Sequence, residues 1–241
     1  MPKQIHLQNV GIQAKNKKIF DHFTFDLIEG KDVCLVGVEG VGKTLLLRAI
    51  LGEENFSGDI LKEASCRGIT RSLIKIEDSI SQYLNYDDLS DKEQEMVNKF
   101  LNLKSLSYSI TKLTKKFQLK VMMLKQILMK PTFFFLDDLL YDFSKEEKED
   151  FFLLCHQNQI TLFYVTSNLE DAISFPYLVV MGKNGILMEG PTLAVLKEEK
   201  IMKRLGFSLP FFIDLSLQLQ SYDLIDDIYL DGKELTERLW K

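Results

Sequence analysis

Apolar and polar residues alternate along Ile5-His6-Leu7-Gln8-Asn9-Val10 and again along Phe23-Thr24-Phe25-Asp26-Leu27. A period of two sends successive side chains to opposite faces, so both stretches read as half-buried strands. Val33-Cys34-Leu35-Val36-Gly37, Phe133-Phe134-Phe135-Leu136 and Thr161-Leu162-Phe163-Tyr164-Val165 are instead short continuous apolar runs. Such runs suit strands covered on both faces. Thr44 to Ile50 reads as a helix entered from a glycine-rich turn. Residues 79 to 130 are helical in pattern, and no glycine falls between Gly68 and Gly182. Tyr177 to Met181, a Gly182-Lys183-Asn184-Gly185 turn and Ile186 to Met188 read as a hairpin. Buried strands separated by helices predict an α/β class with a parallel sheet covered on both faces.

From about Lys197 the periodicity resets. Ile201 and Leu205 share one helical face. Residues 209 to 224 fit two readings. Ile213, Leu215, Leu217 and Leu219 alternate, while Phe212, Leu215 and Leu219 also lie on one helical face. Asp231 and Glu234 have the spacing of a capping box ahead of Leu235 and Leu239, which predicts a short last helix.

The chain has 241 residues, 46% hydrophobic and 27% charged, enough for one large core or two modest ones. Its net charge of −5 gives a nucleic-acid partner no support. Cys34, Cys66 and Cys155 are odd in number and far apart, as reduced intracellular thiols would be. None of His6, His22 and His156 pairs with a cysteine at metal-ligand spacing. The first residues carry no long apolar stretch, so no signal peptide is expected. No run approaches the ~18 to 20 apolar residues of a membrane helix, so a membrane role is expected only through a partner.

Gly37-Val38-Glu39-Gly40-Val41-Gly42-Lys43-Thr44 matches G-x-x-x-x-G-K-[ST] in full, between a buried strand and a helix. Glycines permit positive φ and close approach of backbone to phosphate. Successive N–H groups and the helix N-terminus then cradle the anion. The motif predicts that Gly37, Glu39, Gly40, Val41, Gly42, Lys43, Thr44 and Leu45 hold ATP. Lys43 would reach the outer phosphates and Thr44 would hold Mg²⁺. Glu39 puts a carboxylate beside the cradle, which weakens binding unless it points away. The apolar run ending at Asp137 fits a Walker B strand whose carboxylate holds Mg²⁺ through water. Asp138 either orients the attacking water or belongs to a solvated turn.

These motifs resemble the ABC ATPase family. Strands precede the P-loop by about 25 residues, and about 50 helical residues separate it from Walker B. Thr166-Ser167-Asn168-Leu169-Glu170-Asp171-Ala172 is similar to the family's T-H-D-x-x-E-A stretch. The hairpin from Met181 to Pro191 is similar to its M-x-x-G-x-I-x-x-x-G-x-P. Leu205 to Phe211 and Tyr229 to Trp240 look like the C-terminal extension of energy-coupling factor ATPases, which pack two ATPase subunits together. A GTPase reading fails, because Asn168-Leu169-Glu170-Asp171 lacks the lysine of N-K-x-D and Asp137-Asp138-Leu139-Leu140 is not D-x-x-G.

The resemblance implies a P-loop NTPase fold: a RecA-like core with an N-terminal antiparallel β subdomain and a helical subdomain. It places the nucleotide-binding domain at residues 1–196, its helical part at about 79–130, and a mainly helical extension at 197–241. It implies a nucleotide-binding subunit of an uptake transporter for vitamins or metal ions. That subunit would sit peripherally at the cytoplasmic face of the membrane. Its partners would be a second ATPase subunit, identical or different, and an integral-membrane coupling subunit. Several family residues are missing. The glycine-rich signature should fall at Leu113-Thr114-Lys115-Lys116-Phe117, where only the Thr114 hydroxyl survives. Its two lysines oppose the helix dipole; they either contact phosphate by charge or form a solvated basic turn. Ser167 stands at the switch-histidine position, Asp138 replaces a glutamate, and Ala14 replaces the aromatic residue that stacks on adenine. The Q-loop glutamine is absent, and the D-loop near Tyr141 to Ser144 diverges. Slow or absent turnover follows. A working ATPase with substituted groups and a non-catalytic scaffold or regulator are the alternatives. An apolar groove at residues 73 to 86, with Ile74, Ile76, Ile80, Tyr83 and Leu84, would receive the membrane partner, unless these residues are core.

Overall fold

The structure, a computed structural model, describes residues 1–14, 17–70 and 78–240. Strands β1 (Gln4–Ala14), β2 (Lys17–Ile28) and β4 (Ser57–Lys62) form a three-stranded antiparallel sheet in the order β2-β1-β4. Strands β3 (Val33–Gly37), β5 (Cys66–Ile69), β6 (Phe133–Asp137), β7 (Thr161–Thr166), β8 (Tyr177–Gly182) and β9 (Gly185–Pro191) form the second sheet. Its order is β5-β6-β7-β3-β8-β9, parallel throughout except for the antiparallel β8–β9 hairpin. Helix α1 (Lys43–Leu51) follows β3. Helices α2 (Ile80–Leu84), α3 (Asp91–Leu101) and α4 (Lys115–Leu128) lie between β5 and β6. Then come α5 (Lys145–Gln157), α6 (Leu169–Ala172), α7 (Thr192–Leu196), α8 (Glu199–Arg204), α9 (Phe211–Ser221) and α10 (Gly232–Leu239). The mixed α/β class and P-loop NTPase architecture expected from the sequence are what is found.

The continuous apolar runs have a direct structural reason. Alternate residues of a strand face opposite ways, and the central sheet has a core on each side. Leu35, Phe133, Phe135, Phe163 and Val179 pack toward the small sheet and α1. Cys34, Val36, Phe134, Tyr164 and Val180 pack toward the helices. Every residue of β6 is buried, and each phenylalanine there contributes about 1.5–3 kcal/mol of burial free energy.

Three expectations are resolved here. Residues 211 to 221 are helix, not strand: Ile213 is fully buried in the main core while Phe211 is largely exposed. The alternation had mixed a helix's buried face with apolar residues left at its edge. Ile80 and Leu84 are core, so they do not line a docking groove. Tyr83 is half-buried, with Lys125 Nζ 5.7 Å from its ring centre. Ile74 and Ile76 lie outside the described residues. The last helix begins at Asp231, whose carboxylate accepts from the N–H groups of Lys233 and Glu234.

Candidate functional site

Parallel strands carry their carboxyl ends to one edge of the sheet. Val36 pairs with Thr166, Asp137 with Val165, and Gly37 with Met181. The ends of β3, β6 and β7 therefore converge, although they are about 130 residues apart in the chain. This is where open α/β sheets present loops to ligands.

The loop from β3 to α1 needs its glycines. Gly42 has φ of 107° and caps α1. A β-carbon there would lie 2.6 Å from Phe20 Cδ1 and 2.9 Å from Ile19 Cγ2. At Gly37 it would meet Val41 Cγ1 at 2.8 Å and the Met181 carbonyl at 2.9 Å. With glycine as cap, no side chain serves the first N–H groups of α1, and its first turn holds no acidic residue. These groups and the positive end of the helix dipole are left for an anion. Lys43 Nζ donates to the carbonyls of Gly37 at 2.5 Å and Val38 at 3.3 Å, which fixes its ammonium against the loop.

A cavity of about 460 Å³ opens here, lined by Ile19, Glu39, Gly40, Gly42, Lys43, Thr44, Leu45, Asp138 and Ser167. Eight sequence candidates are thus brought together. The other three stand behind the wall. Gly37 and Val41 are buried beneath the loop, and Asp137 is 1% exposed at the end of β6. Ile19 was not foreseen, because nothing in its position on β2 marks it as facing the loop. The side chain of Ala14 lies outside the described residues. The donors fit Mg-ATP: an uncapped helix end, one ammonium and the Thr44 hydroxyl, with Asp138 in the wall and Asp137 behind it, while the carboxylate of Glu39 lines the same cavity and opposes an anion.

Asp138 is the most constrained of these residues. Its backbone is left-handed, with φ of 53°. Its N–H donates to the Val165 carbonyl at 2.7 Å, and the fully buried Thr166 donates its hydroxyl to Asp138 Oδ1 at 2.9 Å. Both bonds clip Asp138 to β7. Nearby, burial and then the charges of Asp171 and Asp138 push the Cys34 thiol well up. It therefore has no thiolate character.

The signature segment is built differently from the expected basic turn. Thr114 caps α4, its hydroxyl accepting weakly from Phe117 N–H at 3.4 Å. Lys116 is not simply solvated. Its Nζ pairs with Glu147 at 2.9 Å, as does Lys120 Nζ at 2.8 Å. Lys120 is 9% exposed and lies 5.5–5.7 Å from the ring centres of Phe100, Phe117 and Phe143. Burial alone would raise the Glu147 carboxyl, but hydrogen bonds from Lys120, the Ser144 N–H and Lys116 outweigh it and hold it at about 2. Lys115 remains exposed at the mouth of a second cavity of about 390 Å³, which shares Asp138 with the first.

The sequence pattern of the family described as ABC transporter matches residues 20–140, half of the chain and the whole span from the P-loop through Asp138. The chain belongs to the ABC transporter family. An energy-coupling factor transporter ATP-binding protein of Geobacillus kaustophilus is 20% identical over 268 residues, covering 98% of this chain and 96% of that one. The solved ATP binding subunit of an ABC transporter superposes with a TM-score of 0.72 at 17% identity, over 90% of this chain and 99% of that one. A bacterial Atm1-family ABC exporter with ATP bound gives a TM-score of 0.76 at 15% identity, over 85% of this chain and 41% of that one. Both establish the ABC fold. Membership implies a nucleotide as the ligand of the P-loop cavity. Among the described residues, no helix of this ABC protein is long and apolar enough to cross a membrane.

Proposed function

We propose that this chain is the nucleotide-binding subunit of an ABC transporter of the energy-coupling factor kind. It holds Mg-ATP at the P-loop and turns it over slowly at most. The observation that carries this reading is the cavity in which an uncapped glycine-rich helix start, Lys43 and Thr44 face Asp138 and Ser167. The N–H groups at the start of α1 and Lys43 bind and orient the phosphates. Thr44 and Asp137 hold Mg²⁺, which when bound neutralises charge on the phosphate oxygens. Leu45 and Ile19 supply apolar surface beside them. Asp138 is the candidate to position a water. It is one methylene shorter than the family's glutamate and clipped to β7, so its reach into the cavity is reduced. Ser167 at the switch position offers a hydroxyl where an imidazole would stand. Misplacing such groups costs on the order of 10²-fold in rate.

The domain division at 1–196 and 197–241 is part of the proposal. Tyr222, Leu224 and Trp240 leave large apolar surfaces exposed on the extension, which supports its packing against a second ATPase subunit. An integral-membrane coupling subunit completes the assembly at the cytoplasmic face of the membrane. The cargo class, a vitamin or a metal ion, rests on the likeness to energy-coupling factor relatives alone.

A second reading, a scaffold that keeps the fold for protein contacts, is favoured by one observation. Lys116 of the signature segment, together with Lys120 one turn further along α4, is committed to Glu147. Single-turnover hydrolysis of Mg-ATP by the purified chain, alone and with a partner ATPase, decides between them. Nucleotide binding with slow or no turnover supports the proposal, and brisk turnover lost in Asp138→Asn means a working ATPase with substituted groups. Fast turnover that ignores this change contradicts it, and no binding of nucleotide leaves the scaffold.

A further inference from the structure

A continuous run of hydrogen bonds leads from the nucleotide cavity to the C-terminal helices. Thr166 Oγ1 donates to Asp138 Oδ1 at 2.9 Å and accepts from the Asn168 N–H at 3.1 Å. Asn168 Oδ1 caps α6, accepting from the Glu170 N–H at 3.1 Å. Glu170 Oε1 accepts from the Phe211 N–H at 3.0 Å. Phe211 is the first residue of α9, and Pro210 before it has no side-chain group to cap the helix. The first N–H groups of a helix lack internal partners, and a carboxylate there is favoured by the dipole. Glu170 therefore does for α9 what its own cap residue cannot. Packing follows the same route. Leu169 and Ala172 of α6 are buried in one core with Leu209 and Ile213. Four residues of helix thus lie between Ser167 in the wall of the cavity and the extension.

We propose that the segment Thr166–Ala172 is a coupling joint: nucleotide in the P-loop cavity changes how firmly α9 is held, and Glu170 is the link. The inference rests on the nucleotide reading above. A nucleotide that shifts Asp138 pulls on Thr166 and on the loop that caps α6. That motion reaches α9 through one exposed carboxylate, which contributes nothing to the cavity itself. Linkage then requires the reverse effect, so a partner that fixes α9 changes nucleotide affinity by the same factor.

The test uses the full chain and reads two quantities separately. Mg-ATP affinity is measured by equilibrium titration. Amide hydrogen exchange of residues 215 to 218, inside α9, is measured with and without saturating Mg-ATP. In the wild type the nucleotide is expected to change that exchange by at least about fivefold, the lower range of known coupling between sites. Glu170→Ala should bind Mg-ATP within about twofold of wild type, because the residue is outside the cavity, yet show no response in α9. Glu170→Gln retains an acceptor oxygen and should keep the response. Nucleotide binding without any response in α9, or a full response in Glu170→Ala, overturns the joint alone. Failure of the wild type to bind Mg-ATP overturns the joint together with the nucleotide reading.

Discussion

Gly42 joins backbone conformation to ligand chemistry in a single residue. Its φ of 107° is one that side chains rarely adopt, and the space beside it is filled by Phe20 and Ile19. Gly42→Ala is expected to cost about 1–3 kcal/mol in urea unfolding, the usual range for such strain, and to abolish Mg-ATP binding. A variant with wild-type stability and affinity would show that the loop has no such need. Glu147 is the second telling residue. Its carboxyl lies at about 2 instead of its ordinary 4.5. A group whose folded value is depressed stabilises the protein above the unfolded value and loses that contribution as pH falls through the folded one. Its share of stability is therefore present above about pH 4.5 and lost toward pH 2, and Glu147→Gln should remove that acid-side slope. The substitution also leaves Lys120 charged and buried without its carboxylate. The cost is about 2 kcal/mol, less than for a fully buried pair because Glu147 keeps contact with water. The P-loop residues were legible because eight of them are contiguous. Glu147 and Thr166 were not, because each gains its role from a partner on another element.

At the scale of elements, the strands with strong patterns were read correctly. Two-sided burial makes β3, β6 and β7 continuously apolar, and the hairpin carries its own turn. Strands β4 and β5 escaped notice: every residue of β4 but one is exposed, and β5 has a glycine and an arginine in four residues. Their pairing is imposed by neighbours. Helix α9 was ambiguous because its apolar residues outnumber what one face can bury. Ile213 settles it, being fully buried against the main core. Ile213→Ala is expected to cost about 2–4 kcal/mol and to raise amide exchange in α9 and α10 ahead of the central sheet. Uniform destabilisation of the whole chain would instead mean that the extension does not open separately.

At the scale of the molecule, topology assembles the site: the ends of β3, β6 and β7 meet only because the sheet is parallel in that order. The family was legible from spacing and the hairpin, and residues 20–140 carry the family match. What the sequence left open was how the departures act. The structure ties Lys116 of the signature segment to Glu147 and Asp138 to Thr166, which turns two departures from a motif into specific contacts. In a dimer of such subunits, the resulting prediction is asymmetric: this chain's own P-loop binds, and the partner supplies most of the turnover. Deleting the extension after residue 196 should weaken association with a partner ATPase more than it weakens nucleotide affinity, measured by analytical ultracentrifugation and titration side by side.

The central claim is that the P-loop cavity is a nucleotide site. Equilibrium titration of Mg-ATP against the full chain and against Lys43→Ala tests it most directly. The account predicts saturable binding by the wild type, weakened at least about tenfold in the variant by loss of a charge-assisted phosphate contact worth about 1.5–3 kcal/mol. Equal affinity in the two proteins, or no binding in either, would contradict it.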